Sequence, residues 1–228
     1  MREIGDIDIA DTIDIMNVIP VINCPDAACA REKLAVLAAF YPSNQFVHLD
    51  VTDGVFSKHE TWQDPVGWAA LHATFPLEAH LMVEKPADYT GPWIAAGAKR
   101  LVIPVESVTR ESFEAIIEIA RVHDVEITLS LNPETPIDVL RPYFDVATSF
   151  QILAVHPGPA GQAMIPGMFE KTTELRRARP DAIIEFDGGV NPQMARQAKN
   201  AGADVVASGS YIFNAADARE AYQTLKDI

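Results

Sequence analysis

The sequence predicts an α/β protein folded as a single (β/α)8 barrel, with eight parallel strands that close on themselves and helices on the outside. Three observations support this prediction. The chain has 228 residues, short β-branched runs alternate with longer amphipathic segments, and eight such runs occur. Strands that alternate with helices pair in parallel through right-handed crossovers. A closed TIM barrel typically has roughly 250 residues, so a chain of this length fits one.

The predicted strands are short and rich in valine, isoleucine and leucine. They cover residues 18–22, 45–51, 77–82, 100–105, 125–131, 150–155, 183–187 and 205–208. An open doubly wound sheet is the alternative architecture. The count of eight strands and the lack of a GxGxxG turn after the first strand disfavour that alternative.

Four segments between the strands predict helices, because apolar residues recur there at three- and four-residue steps. They cover residues 27–40, 112–123, 166–177 and 192–201. Helix starts are indicated at Pro25-Asp26, Asp64-Pro65 and Asn191-Pro192. Residues 1–16 lie outside the alternation, so the sequence divides into an N-terminal extension over 1–16 and a barrel domain over 17–228.

Charge and composition restrict the classes of partner. The chain has 32 acidic and 18 basic residues and a formal net charge of −14, whereas a nucleic-acid-binding surface needs a basic stripe. The apolar runs are shorter than the ~20 residues of a membrane span, so no membrane partner is expected. The N-terminal sequence MREIGDIDIADTIDIM lacks the basic and apolar regions of a secretory signal, which favours a cytoplasmic protein.

Cys24 and Cys29 are the only cysteines in the chain. A disulfide framework usually contains more cysteines, and thiolate metal sites show a different spacing. We therefore expect two free thiols in a reducing compartment.

Polar residues interrupt the apolar pattern where predicted strands end. The second strand ends in His48-Leu49-Asp50, and alternation places His48 and Asp50 on one face. His80 lies near the end of the third strand, and Asp187 ends the seventh. Active sites of such barrels lie at the carboxyl ends of the strands. Each residue alone could be a hydrogen-bonded core histidine or a helix cap, but four together indicate one site.

Two imidazoles and two carboxylates form a mixed nitrogen and oxygen donor set. Such a set suits Zn²⁺, Fe²⁺, Mn²⁺ or Co²⁺ and is too rich in nitrogen for Ca²⁺. Burying ionisable groups costs on the order of several kcal/mol unless they are paired or bound to a metal. The sequence therefore predicts one divalent metal ion at the barrel mouth.

Glycines follow each of the last three predicted strands. The positions are Gly158 and Gly161, then Gly188 and Gly189, then Gly209 with Ser210 beside it. Any one of them could be an ordinary turn glycine. Glycine at three consecutive strand exits favours a phosphate site, because it lets backbone N–H groups approach an anion.

Six segments carry a resemblance to a known family. They are HLDVTDGVF (48–56), HLMVEKPADY (80–89), LNPETP (131–136), VHPGPAGQ with MIP (155–166), DGGVNP (187–192) and AGADVVASGSYIF (201–213). Together they resemble the ribulose-phosphate 3-epimerase family, and the match runs from about Ile19 to the C-terminal helix. The combination is specific, whereas a GS or DGG sequence alone would be weak.

The resemblance implies a metal held by His48, Asp50, His80 and Asp187, with Asp50 and Asp187 as the acid–base pair. It implies the interconversion of D-ribulose 5-phosphate and D-xylulose 5-phosphate in pentose phosphate metabolism, through a cis-enediolate. It also suggests a homo-oligomer. The implied substrate-binding residues are Cys24, His80, Met82, Gly158, Pro159, Ala160, Gly161, Gly188, Gly189, Gly209 and Ser210.

The chain departs from the family pattern around the metal and the phosphate. Cys24 stands where the family has a serine that contacts the substrate, and a thiol is a weak donor. Met82 remains, but Thr52 and Leu153 replace other family methionines. The family's GFGG loop reads GPAG over residues 158–161, and its proline has no N–H to offer.

These departures leave the substrate open. A ketohexose 6-phosphate 3-epimerase, for example one acting on allulose 6-phosphate, keeps the same chemistry with a different sugar. A decarboxylase or aldolase-type synthase on a similar barrel would need a strand-end lysine, which HLDVTDG lacks. A non-catalytic phosphosugar-binding relative would have no chemical reason to bury two carboxylates.

Overall fold

The computed structural model describes residues 16–228, which form a closed barrel of eight parallel strands. Strands adjacent in the chain are adjacent in the barrel, and the last pairs with the first. The strands are β1 (Asn17–Ile22), β2 (Val47–Thr52), β3 (Leu77–Met82), β4 (Ala98–Pro104), β5 (Glu126–Leu131), β6 (Ser149–Leu153), β7 (Ile183–Asp187) and β8 (Val205–Ser208). The predicted (β/α)8 fold is confirmed, and each strand lies within two residues of its predicted bounds.

Helices cover the outside of the barrel. They are α1 (Ala27–Ala38), α2 (Pro65–Ala69), α3 (Pro86–Ala95), α4 (Arg110–Val122), α5 (Met168–Ala178), α6 (Pro192–Ala201), α7 (Ser210–Phe213) and α8 (Ala218–Lys226). The 3₁₀ helices Val105–Ser107 and Ile137–Tyr143 follow β4 and β5. The second replaces an α-helix because Pro142 within it lacks the N–H that a longer helix needs.

The predicted helix starts are confirmed as N-caps. Asp26, Asp64 and Asn191 each accept a hydrogen bond from a backbone N–H in the first turn of α1, α2 and α6. Such caps satisfy N–H groups that have no partner within the helix. They also fix the direction in which the chain leaves the barrel mouth after β1, β2 and β7.

The main hydrophobic core lies between the strands and the helices. Phe186 on β7 is fully buried and stacks on Phe169 of α5, with ring centroids 5.3 Å apart. Because side chains alternate along a strand, the neighbours of Phe186, Glu185 and Asp187, face the barrel interior. The same alternation turns His48 and Asp50 of β2 inward.

Inside the barrel, a layer of buried polar side chains precedes the strand ends. Glu78 on β3 and Glu185 on β7 come two positions before His80 and Asp187, so each faces the same way as the later residue. Arg100 Nη1 donates a hydrogen bond to Glu78 Oε2 at 2.7 Å. Gln151 Nε2 donates to Glu185 Oε1 at 2.9 Å. We call Glu78, Arg100, Gln151 and Glu185 the interior polar layer.

The two carboxyl groups of this layer differ in charge. Burial would raise the pKa of Glu78, but the hydrogen bond from His48 and the charge of Arg100 lower it to about 2. Burial and the negative charge of Glu78 raise the pKa of Glu185 to about 8. At neutral pH the layer therefore holds one ionised and one protonated carboxyl group beside the guanidinium of Arg100.

The chain enters the barrel at Met16, which is buried and whose carbonyl accepts a hydrogen bond from Lys226 Nζ. Residues 1–15 of the expected extension lie outside the described residues. Among residues 16–228, no helix is long and apolar enough to cross a lipid bilayer.

Removing Arg100 is expected to destabilise the fold, because Glu78 would stay buried without its positive partner. For Arg100→Met, we expect the free energy of unfolding to fall by about 3 kcal/mol, as for other broken buried ion pairs. Urea denaturation followed by circular dichroism measures the change. The matched control is the double variant Glu78→Gln/Arg100→Met, which removes both charges of this pair. It should lose clearly less stability, and an equal or greater loss would contradict this reason.

Candidate active site at the barrel mouth

The four expected metal ligands meet at the carboxyl end of the barrel. His48 and Asp50 come from β2, His80 from β3 and Asp187 from β7, and all four side chains are buried. One potential ligand atom from each lies within 4.8 Å of the others. Asp50 and His80 are direct partners in the β2–β3 register. The barrel therefore gathers four residues that are up to 139 positions apart, from 48 to 187, into one site.

Asp50 and Asp187 both face the two imidazole rings. Asp50 Oδ1 is 3.3 Å from His48 Nε2 and 3.6 Å from His80 Nδ1. Asp187 Oδ2 is 3.9 Å from each of the same two nitrogen atoms. Most of these separations exceed a hydrogen-bond length. The four ligand atoms, one from each residue, therefore surround a shared centre, and most of them are too far apart to be hydrogen-bonded to one another.

Glu78 sets the orientation of the His48 ring. His48 Nδ1 lies 2.6 Å from Glu78 Oε1, which places Nε2 on the side of Asp50. A carboxylate on one ring nitrogen favours the tautomer whose other nitrogen can bind a metal. Burial alone would lower the pKa of His48, but hydrogen bonds to Asp50 and Glu78 raise it well above its usual value. A metal ion at Nε2 would therefore have to displace a proton.

His80 provides the test of whether a metal fits the site. The ring is fully buried, and its Nδ1 has no hydrogen-bond partner among the described residues. Its Nε2 lies 3.4 Å from Ser130 Oγ, which can hold the ring in place. Burial lowers the pKa of His80 and so keeps the imidazole neutral, as a metal ligand must be. A buried nitrogen without a partner that faces two carboxylates fits a metal donor.

The two carboxyl groups of the site have very different pKa values. Burial would raise the pKa of Asp50, but the hydrogen bond from His48 and the nearby His80 ring hold it well below its usual value. Burial raises the pKa of Asp187 to about 7, and the negative charges of Asp50 and Glu78 act in the same direction. Asp50 is therefore ionised at neutral pH, whereas Asp187 can hold a proton. Carboxyl pairs separated in this way are typical of acid–base sites.

A cavity of about 60 Å³, which we call the mouth cavity, is lined by both aspartates. Met82 and Leu153 contribute to its apolar wall. The expected phosphate-binding segments complete it with Gly158, Pro159, Ala160, Gly161, Gly188, Gly189, Gly209 and Ser210. Thr52, another departure from the family pattern, is fully buried and does not line this cavity.

The turn after Asp187 requires glycine. Gly188 and Gly189 have φ values of +110° and +67°, in the region that side chains disfavour. A Cβ atom on Gly189 would lie 2.8 Å from the backbone nitrogen of Met164, closer than such atoms approach in proteins. The chain can therefore turn directly after Asp187 and bring backbone to the cavity.

The expectation of two free thiols is wrong. Cys24 and Cys29 form a disulfide, with their Cα atoms 5.7 Å apart. The turn into α1 is the reason, because Asp26 caps the helix through the Cys29 N–H and brings the two cysteines within disulfide range. Cys24 is also buried and does not line the mouth cavity, so the substrate contact expected from its thiol is not supported.

Asn23, which the sequence analysis missed, lines the cavity instead. Its Nδ2 donates to Asp50 Oδ2 at 2.9 Å and to the carbonyl of Gly158 at 3.0 Å. One amide group thus connects the ionised carboxylate to the glycine segment after β6. Strand alternation was the available signal, because Val21 and Asn23 project to the same side and both line the cavity.

Known proteins resemble this chain over most of its length. The model of the ribulose-phosphate 3 epimerase family matches residues 18–213. The cytoplasmic isoform of ribulose-phosphate 3-epimerase from Oryza sativa subsp. japonica is 33% identical over 185 residues, which cover 79% of this chain and 81% of that protein. The ribulose-phosphate 3-epimerase of Mycobacterium leprae is 31% identical over 215 residues, which cover 91% of this chain and 92% of that protein.

Solved structures share the fold at lower identity. A crystal structure of 3-hexulose-6-phosphate synthase has a TM-score of 0.70 at 16% identity, and covers 93% of this chain and 99% of that one. The 3-hexulose-6-phosphate synthase of Salmonella typhimurium has a TM-score of 0.70 at 14% identity, with 93% and 97% covered. That likeness shows the fold alone. The family match and the sequence relatives go further, and they place this chain in the ribulose-phosphate 3-epimerase family as an isomerase-type enzyme, an epimerase.

Proposed function

We propose that this protein interconverts D-ribulose 5-phosphate and D-xylulose 5-phosphate by moving the proton on C3. One observation carries the proposal: two buried carboxyl groups, Asp50 and Asp187, line one cavity and have pKa values displaced in opposite directions. Inversion at a carbon needs one group to remove a proton and a second to return one on the other face. Membership of the epimerase family supports the same reaction.

A divalent ion of zinc, iron, manganese or cobalt is part of the proposal. His48, Asp50, His80 and Asp187 would hold it, since their donor atoms are close together and His80 Nδ1 has no other partner among the described residues. When bound, such an ion acts as a Lewis acid that makes the C3 proton more acidic and offsets the charge of the cis-enediolate. The donor set admits several metals and does not choose between them.

The proton transfers themselves belong to the two aspartates. In one direction, the ionised carboxylate of Asp50 accepts the proton from C3, and Asp187 donates its proton to the other face. In the reverse direction the two residues exchange roles. Asn23 steadies the base by holding Asp50 Oδ2 at 2.9 Å. The two titrations are coupled, because both carboxyl groups face the same imidazoles.

The glycine segments would bind the phosphate of the substrate. Gly158, Gly161, Gly188, Gly189, Gly209 and Ser210 all line the mouth cavity. Backbone N–H groups can bind an anion where side chains are absent. This arrangement suits a chain with a net charge of −14, since the pocket itself supplies the attraction.

The residues that line the mouth cavity are expected to determine which sugar phosphate is the substrate. Leu153, Pro159 and Ala160 line it at positions that differ from the family pattern, which keeps a ketohexose 6-phosphate as the second candidate. Incubating the enzyme with each ketose phosphate in deuterium oxide and measuring deuterium at C3 tests the proposal. Exchange into the pentulose phosphates is expected, and exchange into the hexulose phosphate alone would change the substrate. No exchange into either would end the proposal.

A cytoplasmic location and a homo-oligomeric state belong to the same proposal. The rice relative is a cytoplasmic isoform, which supports the location. The Cys24–Cys29 disulfide weighs against it, because disulfides persist mainly in oxidising compartments.

Replacing either aspartate by its amide should abolish epimerisation. For Asp50→Asn and Asp187→Asn we expect kcat to fall by about 10³-fold or more, the scale of general acid–base catalysis. A coupled assay in both directions measures the loss. Each variant should still exchange the C3 proton of the one epimer that its remaining carboxyl group can reach. Exchange from both epimers at the parental rate would contradict the two-carboxylate mechanism.

Metal affinity should weaken as the pH falls. Without metal, Asp187 has a pKa of about 7 and the pKa of His48 is raised, so lowering the pH adds protons that oppose metal binding. We expect Co²⁺ or Zn²⁺ affinity to fall at least tenfold from about pH 8 to about pH 6. Calorimetry in two buffers of different ionisation enthalpy also reports the proton release. The control is His80→Asn, which should bind metal weakly throughout; pH-independent binding without proton release would contradict this interpretation.

A further inference from the structure

One cation lies beside the expected phosphate-binding segments without a direct ion pair among the described residues. Lys33, on α1, is half-buried and its Nζ donates to the carbonyl of Asn23 at 3.0 Å. The Nζ also lies 4.9 Å from the centroid of the Phe213 ring. Within the described residues, no carboxylate lies within 4.0 Å of this ammonium group.

Lys33 lines a second cavity of about 120 Å³, which we call the side cavity. The side cavity and the mouth cavity share walls: both are lined by Val21, Asn23, Ala160, Gly161, Gly209 and Ser210. Among the described residues that line either cavity, Lys33 is the only lysine or arginine. The single positive side chain thus lies at the end where the phosphate is expected.

Lys171, another half-buried lysine, has a structural role and makes a different set of contacts. Lys171 Nζ donates to three carbonyl groups, those of Asn132, Pro133 and Thr135, at 2.6 to 3.0 Å. Lys33 has one carbonyl partner within hydrogen-bond distance among the described residues, although its ammonium group has three donors. Burial lowers the pKa of Lys33, and the negative charge of Asp50 opposes this shift only in part. The ammonium group has therefore lost solvation that a bound anion would restore.

We infer that Lys33 is a substrate-binding residue, whose ammonium group contacts the phosphate of the ketose phosphate in the space shared by the two cavities. The inference rests on the proposed function, because that function places the phosphate at Gly161, Gly209 and Ser210. It adds Lys33 to the proposed site as a residue that determines specificity for phosphorylated sugars. A phosphorylated sugar would gain a charge-assisted hydrogen bond here that an unphosphorylated ketose cannot make.

The test compares Lys33→Met with Lys99→Met, and uses inorganic phosphate as a probe that needs no catalysis. Lys99 is exposed at the start of β4, at the opposite end of the barrel, so its variant makes the same change in net charge. For Lys33→Met we expect KM for the ketose phosphate and the dissociation constant of phosphate to rise about tenfold, with kcat within twofold. Lys99→Met should leave all three unchanged, and Lys33→Arg should recover most of the phosphate affinity.

Other outcomes separate this inference from the proposed function. A lower kcat with unchanged phosphate affinity would mean that Lys33 only positions Asn23, and the inference would fail. Phosphate that does not bind the parent, or binds Lys33→Met equally well, would also overturn it. If the parent epimerises no ketose phosphate but Lys33→Met still weakens phosphate binding, the proposed function fails and the phosphate contact stands. Thermal unfolding of each variant confirms that the fold is retained.

Discussion

Four buried ionisable side chains meet at the end of the barrel, and the rest of the site is arranged around that constraint. Removing a charge from water costs several kcal/mol unless a partner replaces the lost solvation. Two aspartates and two histidines do not satisfy one another completely: His80 Nδ1 has no hydrogen-bond partner among residues 16–228, and the pKa of Asp187 is raised. A bound cation would relieve both, because it takes the nitrogen lone pair and offsets the negative charge of Asp50 beside Asp187.

A chain of polar contacts holds this arrangement from both sides. Toward the barrel interior, Arg100 binds Glu78, and Glu78 in turn orients His48. Toward the mouth, Asn23 connects Asp50 with the carbonyl of Gly158. The carboxylate of Asp50 is thus fixed between a charged layer inside the barrel and the loops that face solvent. As the proposed base, Asp50 would need little reorganisation when charge develops on the substrate.

Much of this arrangement can be predicted from the sequence, because strand alternation and strand ends are both visible there. Four polar residues stand out at the ends of apolar runs: His48, Asp50, His80 and Asp187. A closed barrel brings the carboxyl ends of its strands together, so these residues are expected to meet. Asn23 does not stand out, since it follows β1 in what reads as a turn. The disulfide is equally hidden: the distance between Cys24 and Cys29 is set by a helix cap, and their spacing alone carries no such signal.

Side-chain contacts between neighbouring strands, and between a helix and a loop, cannot be predicted from the sequence alone. Arg100 reaches Glu78 only through the register of β3 and β4, which pairs these two residues directly. Lys33 reaches the end of β1 only because α1 packs back on the barrel, which brings its Nζ to the Asn23 carbonyl and the Phe213 ring. Each contact depends on three-dimensional placement. The sequence therefore identifies the charged residues but not their partners.

X-ray absorption on the cobalt-loaded protein most directly tests the claim that these four residues hold one ion. We expect one cobalt per chain, with imidazole nitrogen and carboxylate oxygen in the first coordination sphere. The imidazole contribution should be halved in a His80→Asn variant. A sphere of oxygen atoms alone, or a spectrum that this variant leaves unchanged, would contradict the assignment of the site.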